Sequence, residues 1–192
     1  METACIGDRE LGIRPYEESD YRRVQKVCIE ADNYFPQKKT DELLILYCNY
    51  YIEQEPEHSF VLSGADYRAV GYLLLSPDWG RYCETYRREY MPRLRRVSLF
   101  QYLLKKRDLS GNVDLRTAYP AHLHIDISEG YRGKGSGAAM MEVGMQHLRK
   151  QGCPGVMLGV GADNAGGIRF YERLGFELLK KQGGEVLFGM RL

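Results

Sequence analysis

The amino-acid sequence predicts an α/β (α+β) fold: a mixed central sheet with helices on its faces and a helical insertion before the fourth strand. Three observations lead there. Short apolar runs are bounded by Gly and Asp turn signals, as strands and hairpins require. Other stretches repeat their apolar residues at helical spacing, with capping residues before them and Gly after them. The two kinds alternate as strand, two helices, three strands interrupted by a helical stretch, then helix, strand, helix, strand, strand. There is no internal repeat and no low-complexity linker, so residues 1–192 read as one domain with an insertion over residues 80–120.

The elements follow in order. Leu11 to Arg14 is a short strand, and Pro15 breaks it. Ser19 is the N-cap candidate of a helix carrying Val24, Val27, Cys28 and Ala31 at helical spacing. TDELLILYCNYYIEQEP reads as one helix, with Thr40 as cap, Asp41 and Glu42 in the first turn and Pro56 as the stop. SFVLSG and RAVGYLLLSP form a hairpin around Gly64 and Asp66. Gly80 to Arg107 is one or two helices broken near Pro92, and Asp108 to Pro120 reads as loop. AHLHIDIS alternates polar and apolar residues, so it is a strand with two unlike faces. Gly137 to Lys150 is a helix with Met141, Met145 and Leu148 on one side and Gly152 as its C-cap. GVMLGVG is a buried strand, DNAGGIRFYERLG a capped helix ending at Gly175, and FELLKK with EVLFGMRL a last hairpin around Gly183 and Gly184.

Composition narrows the class. A chain of 192 residues with 44% hydrophobic and 28% charged residues suits a globular domain with a substantial core. A net charge of +1 argues against nucleic acid and against an anionic membrane as partner. No apolar run is long enough to span a bilayer, and the N-terminus has no signal pattern. The 5 cysteines form no CxxC pair, which points to a reducing cytoplasm and not to a disulfide framework or a zinc site. The 15 tyrosines cluster at Tyr47, Tyr50 and Tyr51 and again from Tyr82 to Tyr102, enough to line a pocket or an interface.

The stretch EGYRGKGSG, between a strand and a helix, is the main functional signal. Helix N-termini present unsatisfied N–H groups with partial positive charge, and glycines let a ligand approach them, so the loop suits an anion such as a phosphate. Arg132 and Lys134 add formal charge. The P-loop pattern fails because Lys134 is followed by Gly135 where Ser or Thr is required. The dinucleotide pattern GxGxxG fails as well, because the series is Gly133, Gly135, Gly137. What stands is Arg-x-x-Gly-x-Gly at Arg132, Gly135 and Gly137.

That pattern resembles the acetyl-coenzyme A loop of the GCN5-related N-acetyltransferases (GNAT). One strand later, NAGGIRFYERLGF is similar to the family's Asn-x-x-Ala-x-x-Phe-Tyr-x-x-x-Gly-Phe helix through Asn164, Phe170, Tyr171, Gly175 and Phe176, with Gly167 where Ala is usual. The insertion and YPAHLHIDI are also similar to bacterial acetyltransferases resembling the acetyltransferase-like region of O-GlcNAc hydrolases, a likeness that implies no hydrolase activity. The resemblance implies a mostly antiparallel GNAT-like sheet and acetyl-CoA as acyl donor, with no metal. It puts backbone contacts to pantetheine at Ile127 and Glu129, and the pyrophosphate on Arg132 and on Gly133, Lys134, Gly135, Ser136, Gly137 and Ala138. It implies that the Ile127 amide stabilises the oxyanion, that Asn164 holds the pantetheine arm, that Phe170 borders the cofactor, and that Tyr171 protonates the departing thiolate.

For the base, strand alternation places His122, His124 and Asp126 on one face and Leu123, Ile125 and Ile127 on the other. The polar face is expected to look into the cleft, with Asp126 nearest the loop and favoured as base, and His124 second. Bland alternatives stand beside these readings. Tyr171 also suits a core tyrosine, and Asp126 a structural acceptor. His122-x-His124 lacks a third metal ligand at recognisable spacing. Cys153 is a bystander with only His147 near it in sequence, and the Arg- and Tyr-rich insertion is either a solvated helix face or the roof of the acceptor pocket.

The reading is a cytoplasmic N-acetyltransferase in which a small-molecule or peptide amine attacks acetyl-CoA directly in a ternary complex. The rival is a non-catalytic acyl-CoA-binding or protein-interaction module of the same fold. Pocket walls are expected from Tyr34 to Lys39, the insertion and the last hairpin. The acceptor is unnamed by the sequence, and the oligomeric state is left open, a homodimer among the options.

Overall fold

The computed structural model describes residues 11–32, 39–133 and 135–192. Its strands are β1 (Gly12–Pro15), β2 (Ser59–Ser63), β3 (Ala69–Ser76), β4 (Ala121–Ile127), β5 (Gly155–Gly161), β6 (Glu177–Gln182) and β7 (Glu185–Arg191). They form one 7-stranded sheet in the order β1-β2-β3-β4-β5-β7-β6. Every neighbouring pair is antiparallel except β4 and β5, which run parallel. β3 is apolar on both faces because both faces are covered: its residues Ala69 to Ser76 are all buried.

The helices are α1 (Tyr21–Ala31), α2 (Thr40–Tyr47), α3 (Asn49–Gln54), α4 (Trp79–Thr85), α5 (Met91–Val97), α6 (Leu99–Asp108), α7 (Val113–Ala118), α8 (Ser136–Lys150) and α9 (Ala165–Arg173). On one side, α1 to α5 bury a layer rich in tyrosine, with Tyr50, Tyr51, Tyr82, Tyr86 and Tyr90 packed over Tyr72 and Leu74 of β3. On the other, the Met140, Met141, Met145 and Leu148 stripe of α8 packs with Leu73, Leu75, Leu123 and Ile127. The strands expected from sequence, both hairpins and the helix before Gly152 are all present.

Several boundaries differ from expectation. Ser19 is not a helix cap: it lies in a short 3-10 turn, Glu18–Asp20, and α1 begins at Tyr21. Asp20 organises this corner, taking both ends of the buried Arg14 guanidinium at 2.6 and 2.8 Å and the Glu17 N–H at 3.0 Å. The helix expected from Thr40 to Glu55 is two helices, capped at Lys39 and broken at Cys48 (φ −128, ψ −60). LLILYCNYYI is apolar nearly all round, too wide for one stripe, and the break lets both halves bury their faces in one core.

The insertion is more helical than expected. The chain passes Pro92 without breaking, because Pro92 sits at the start of α5, after a widened π turn at Tyr86–Tyr90 that absorbs the missing N–H. The break falls at Ser98, whose side chain caps α6. Residues 108–120 are not all loop. Ser110, Gly111 and Asn112 make the turn, and α7 follows, with Leu115 and Ala118 packed on Tyr119, Met157 and Leu187. α8 begins at Ser136 and ends at Lys150, within one residue of expectation.

Candidate active site

The only parallel neighbours among the described residues pair briefly. β4 and β5 meet at Ala121–Val156 and His122–Met157 and then separate. Towards its C-terminal end β4 is held on one side only, by β3. The Ser128 N–H donates to Val70 O at 2.9 Å, so alternation turns the N–H and C=O of Ile127 the other way, into the gap. The Ile127 carbonyl accepts a bond from Arg132 Nε at 2.6 Å, which ties the glycine loop back to the strand.

The loop makes one 3-10 turn, Glu129–Tyr131, and then two left-handed glycines, Gly133 (φ 78) and Gly135 (φ 84). A side chain at either would be strained, yet would meet nothing within 4 Å. The bare backbone there faces open space, as close approach of a ligand requires. Gly137 is bare for another reason: a Cβ would stand 3.2 Å from the Phe170 ring, which lies over the first turn of α8. The Ser136 side chain is buried and turned inward, while Arg132, Glu129 and Ala138 are exposed. Lys134 lies outside the described residues.

Across the gap, Asn164 caps α9, its Oδ1 accepting the Gly167 N–H at 2.8 Å. The cap explains glycine at 167, since a Cβ would stand 2.9 Å from Asn164 Nδ2 and 3.1 Å from Val160. Tyr171 follows, its ring packed among Phe170, Phe176 and Phe188 at 5.1, 5.5 and 6.2 Å. Burial raises the Tyr171 hydroxyl well above the usual phenol range, and the charge of Asp126 adds to it. The Tyr171 hydroxyl therefore keeps its proton at neutral pH.

His122, His124 and Asp126 share one face of β4, as the alternation requires. That face packs against the tyrosine-rich helices, with His122 buried and His124 and Asp126 half-buried. The His124 ring meets Tyr47 and Tyr51 edge-on at 5.2 and 5.3 Å. Burial pushes its pKa down to about 3, helped by Lys105, so it is neutral. Asp126 accepts a short hydrogen bond from Tyr72, its register partner on β3. Burial pushes the Asp126 carboxyl up to about 6, with Tyr72 and Arg132 opposing. A carboxylate at that value is ionised at pH 7 and still able to accept a proton.

Tyr72 is the site residue that sequence reasoning missed. Its signal was a single hydroxyl-bearing side chain inside the apolar run VGYLLL, legible only once β3 is registered on β4. Cys153 is half-buried with its Sγ 3.8 Å from Pro77 O, and His147 pairs instead with His58, ring nitrogens 2.8 Å apart. Among the described residues no three His, Cys, Asp or Glu side chains gather as a metal site would need. Of the pocket wall expected from Tyr34 to Lys39, residues 34–38 lie outside the described residues.

A sheet opened between two parallel strands, with a glycine loop and a helix N-terminus at its mouth, suits an extended ligand that ends in an anion. The sequence profile of the acetyltransferase (GNAT) family matches residues 24–176, and the chain belongs to that family. Its fold is similar along 94% of its length to the crystal structure of SsHAT, at a TM-score of 0.83 and 28% identity, with 98% of that chain covered. It is also similar to the PaiA N-acetyltransferase of Thermoplasma acidophilum in complex with coenzyme A, at a TM-score of 0.61 and 13% identity over 95% of this chain and 99% of that one. A mycothiol acetyltransferase of Streptomyces scabiei is 44% identical over 52 residues, 27% of this chain and 17% of that protein. An uncharacterized N-acetyltransferase of Methanocaldococcus jannaschii is 38% identical over 67 residues, 35% of this chain and 29% of that protein. The chain thus spans less than a third of the length of these curated relatives. No helix among the described residues is long and apolar enough to cross a membrane.

Proposed function

We propose that the chain is an acetyl-CoA-dependent N-acetyltransferase in which an amine attacks the thioester directly. The observation that carries this reading is the gap beside β4: two residues of parallel pairing, then a free Ile127 N–H facing the opening. An extended pantetheine arm would enter as an added strand, with its pyrophosphate at Gly133, Gly135, Ser136, Gly137 and Ala138 and its edge against Phe170. Arg132 and Glu129 would border that path, Lys134 would add its charge from outside the described residues, and Asn164 would contact the arm near the sulfur. The Ile127 amide would hold the developing oxyanion.

In this reading Asp126 takes the proton of the incoming ammonium, directly or through water, and Tyr171 returns a proton to the thiolate. Burial raises both groups in the sense their tasks need. His124, held neutral, orients the acceptor. The acceptor is a small molecule or a peptide carrying an amine, and residues 1–192 act as one domain.

The test is calorimetric titration with acetyl-CoA, followed by initial rates of thiol release with a panel of primary amines. The expected result is saturable binding, amine-dependent release and intersecting double-reciprocal plots. Parallel plots would replace direct attack by an acyl-enzyme. Binding without turnover of any amine would leave the non-catalytic coenzyme-binding module, and absence of binding would overturn both.

A further inference from the structure

The insertion holds a half-buried positive charge with no contacting anion among the described residues. Arg116, on α7, lays its guanidinium on Trp79, 3.3 Å from the ring centre. Its Nε and Nη1 are buried and make no hydrogen bond. Asp108 acts on it through space only, because Asp108 Oδ2 is bonded to Lys105 Nζ at 2.8 Å. Two further polar groups packed nearby are also unsatisfied. His122, 7% exposed, has no partner for either ring nitrogen, and the buried Tyr51 hydroxyl has none. Aromatic rings surround His122, with Trp79, Tyr82 and Tyr51 meeting it edge-on at 5.1, 4.4 and 5.7 Å.

Buried polar groups in folded proteins are nearly always bonded, and a buried cation calls for an anion. Three unsatisfied groups gathered beside the candidate active site are what a ligand would complete. Lys105 is already matched by Asp108, so one cationic group remains, which fits a singly charged anion better than a phosphate.

We infer that Arg116, His122 and Tyr51 form a carboxylate-binding subsite, and that the acceptor is an amine carrying a carboxylate several bonds away. The inference rests on the acetyl-transfer reading above. The separation follows from the strand: His122 and Asp126 are four residues apart, roughly 13 Å along β4 at 3.3 Å per residue. That span is too long for an α-amino acid bound through its own two groups. It suits an ω-amino acid or a short peptide with a free C-terminus.

Trp79 is the only tryptophan in the sequence and lies under Arg116, so it reports the subsite without any turnover. The experiment titrates Trp79 emission in the full chain with 6-aminohexanoate, with 6-aminohexanamide and with triglycine as free acid and as amide, and measures kcat/KM for each. The expected result is a saturable emission change with the acids alone and a kcat/KM at least tenfold higher for each acid than for its amide. In Arg116→Gln the emission change should disappear and the acid-to-amide ratio should fall towards one. Tyr51→Phe, which keeps the ring, should lower the ratio in a fully folded protein. Equal behaviour of acids and amides in the wild type would overturn the subsite while leaving acetyl transfer standing. Emission changes with acids but no transfer to any amine would overturn the transfer reading and leave the subsite.

Discussion

At the scale of single residues, the proposed chemistry turns on one carboxyl group and the two tyrosines that feel it. Asp126 is half-buried, pushed up to about 6 by desolvation, and restrained from rising further by the Tyr72 hydroxyl. The same charge helps keep Tyr171 protonated. A base must be ionised to act, so rate should fall as pH drops through the Asp126 value. Tyr72→Phe removes the hydrogen bond that favours the ionised form. The acidic limb of the kcat/KM profile should therefore move to higher pH. A limb that stays in place would remove Asp126 from the role of base. Tyr171→Phe keeps the ring among Phe170, Phe176 and Phe188. It should leave acetyl-CoA affinity unchanged and lower kcat by about 10²–10⁴, the usual range for loss of a general acid. A variant within about threefold of wild type would assign the proton to water.

At the scale of elements, the loop and α8 can be separated from the strand they follow. Gly135 has φ 84 and open space around it, so Gly135→Asp combines backbone strain of roughly 1 kcal/mol with a negative charge at the proposed phosphate position. Acetyl-CoA affinity should fall by far more than that strain accounts for, while the fold persists at a slightly lower Tm. Titration calorimetry with a melt on the same sample checks both, and unchanged affinity would move the pyrophosphate elsewhere. This loop was legible in the sequence because its demand is local: Arg132, Gly135 and Gly137 stand between a strand and a helix in any register. The strands and hairpins were legible for the same reason, through Gly64, Gly183 and Gly184. The insertion was not, because its helix breaks answer to packing. Cys48 breaks a helix that propensity would continue, and Pro92 sits in one that it would stop. Arg116 fell in a stretch read as loop, and Tyr72 meets Asp126 only through the β3–β4 register. Contacts made by residues distant in sequence leave no mark on local periodicity.

At the scale of the whole molecule, the buried polar groups set the response to acid. The sequence has 4 histidines, and each is held below its ordinary value. Burial is the first cause in every case, joined by Arg116 at His122, by Lys105 at His124 and by the His58–His147 contact at His147. As pH falls through about 6.5 the unfolded chain takes up protons that the folded chain refuses. Stability must then fall with pH, by about 1.4 kcal/mol per pH unit for each proton of difference. Three carboxyls among the described residues act in the opposite sense. Burial raises Asp126, Glu55 and Glu185, so the folded chain protonates them before the unfolded one does and regains stability on the way down. For Asp126 that recovery begins near 6, later than the histidine loss, and extends towards its ordinary 3.8. Thermal melts should accordingly show Tm falling from pH 7.5 to about 5.5 and then declining less steeply. Asp126→Asn removes one opposing group, so its Tm should drop more steeply than wild type between pH 6 and 4. A wild-type Tm that is level or rising between pH 7.5 and 5.5 would mean that the imidazoles gain protons without unfolding, and that the layer over β4 is open to water in solution.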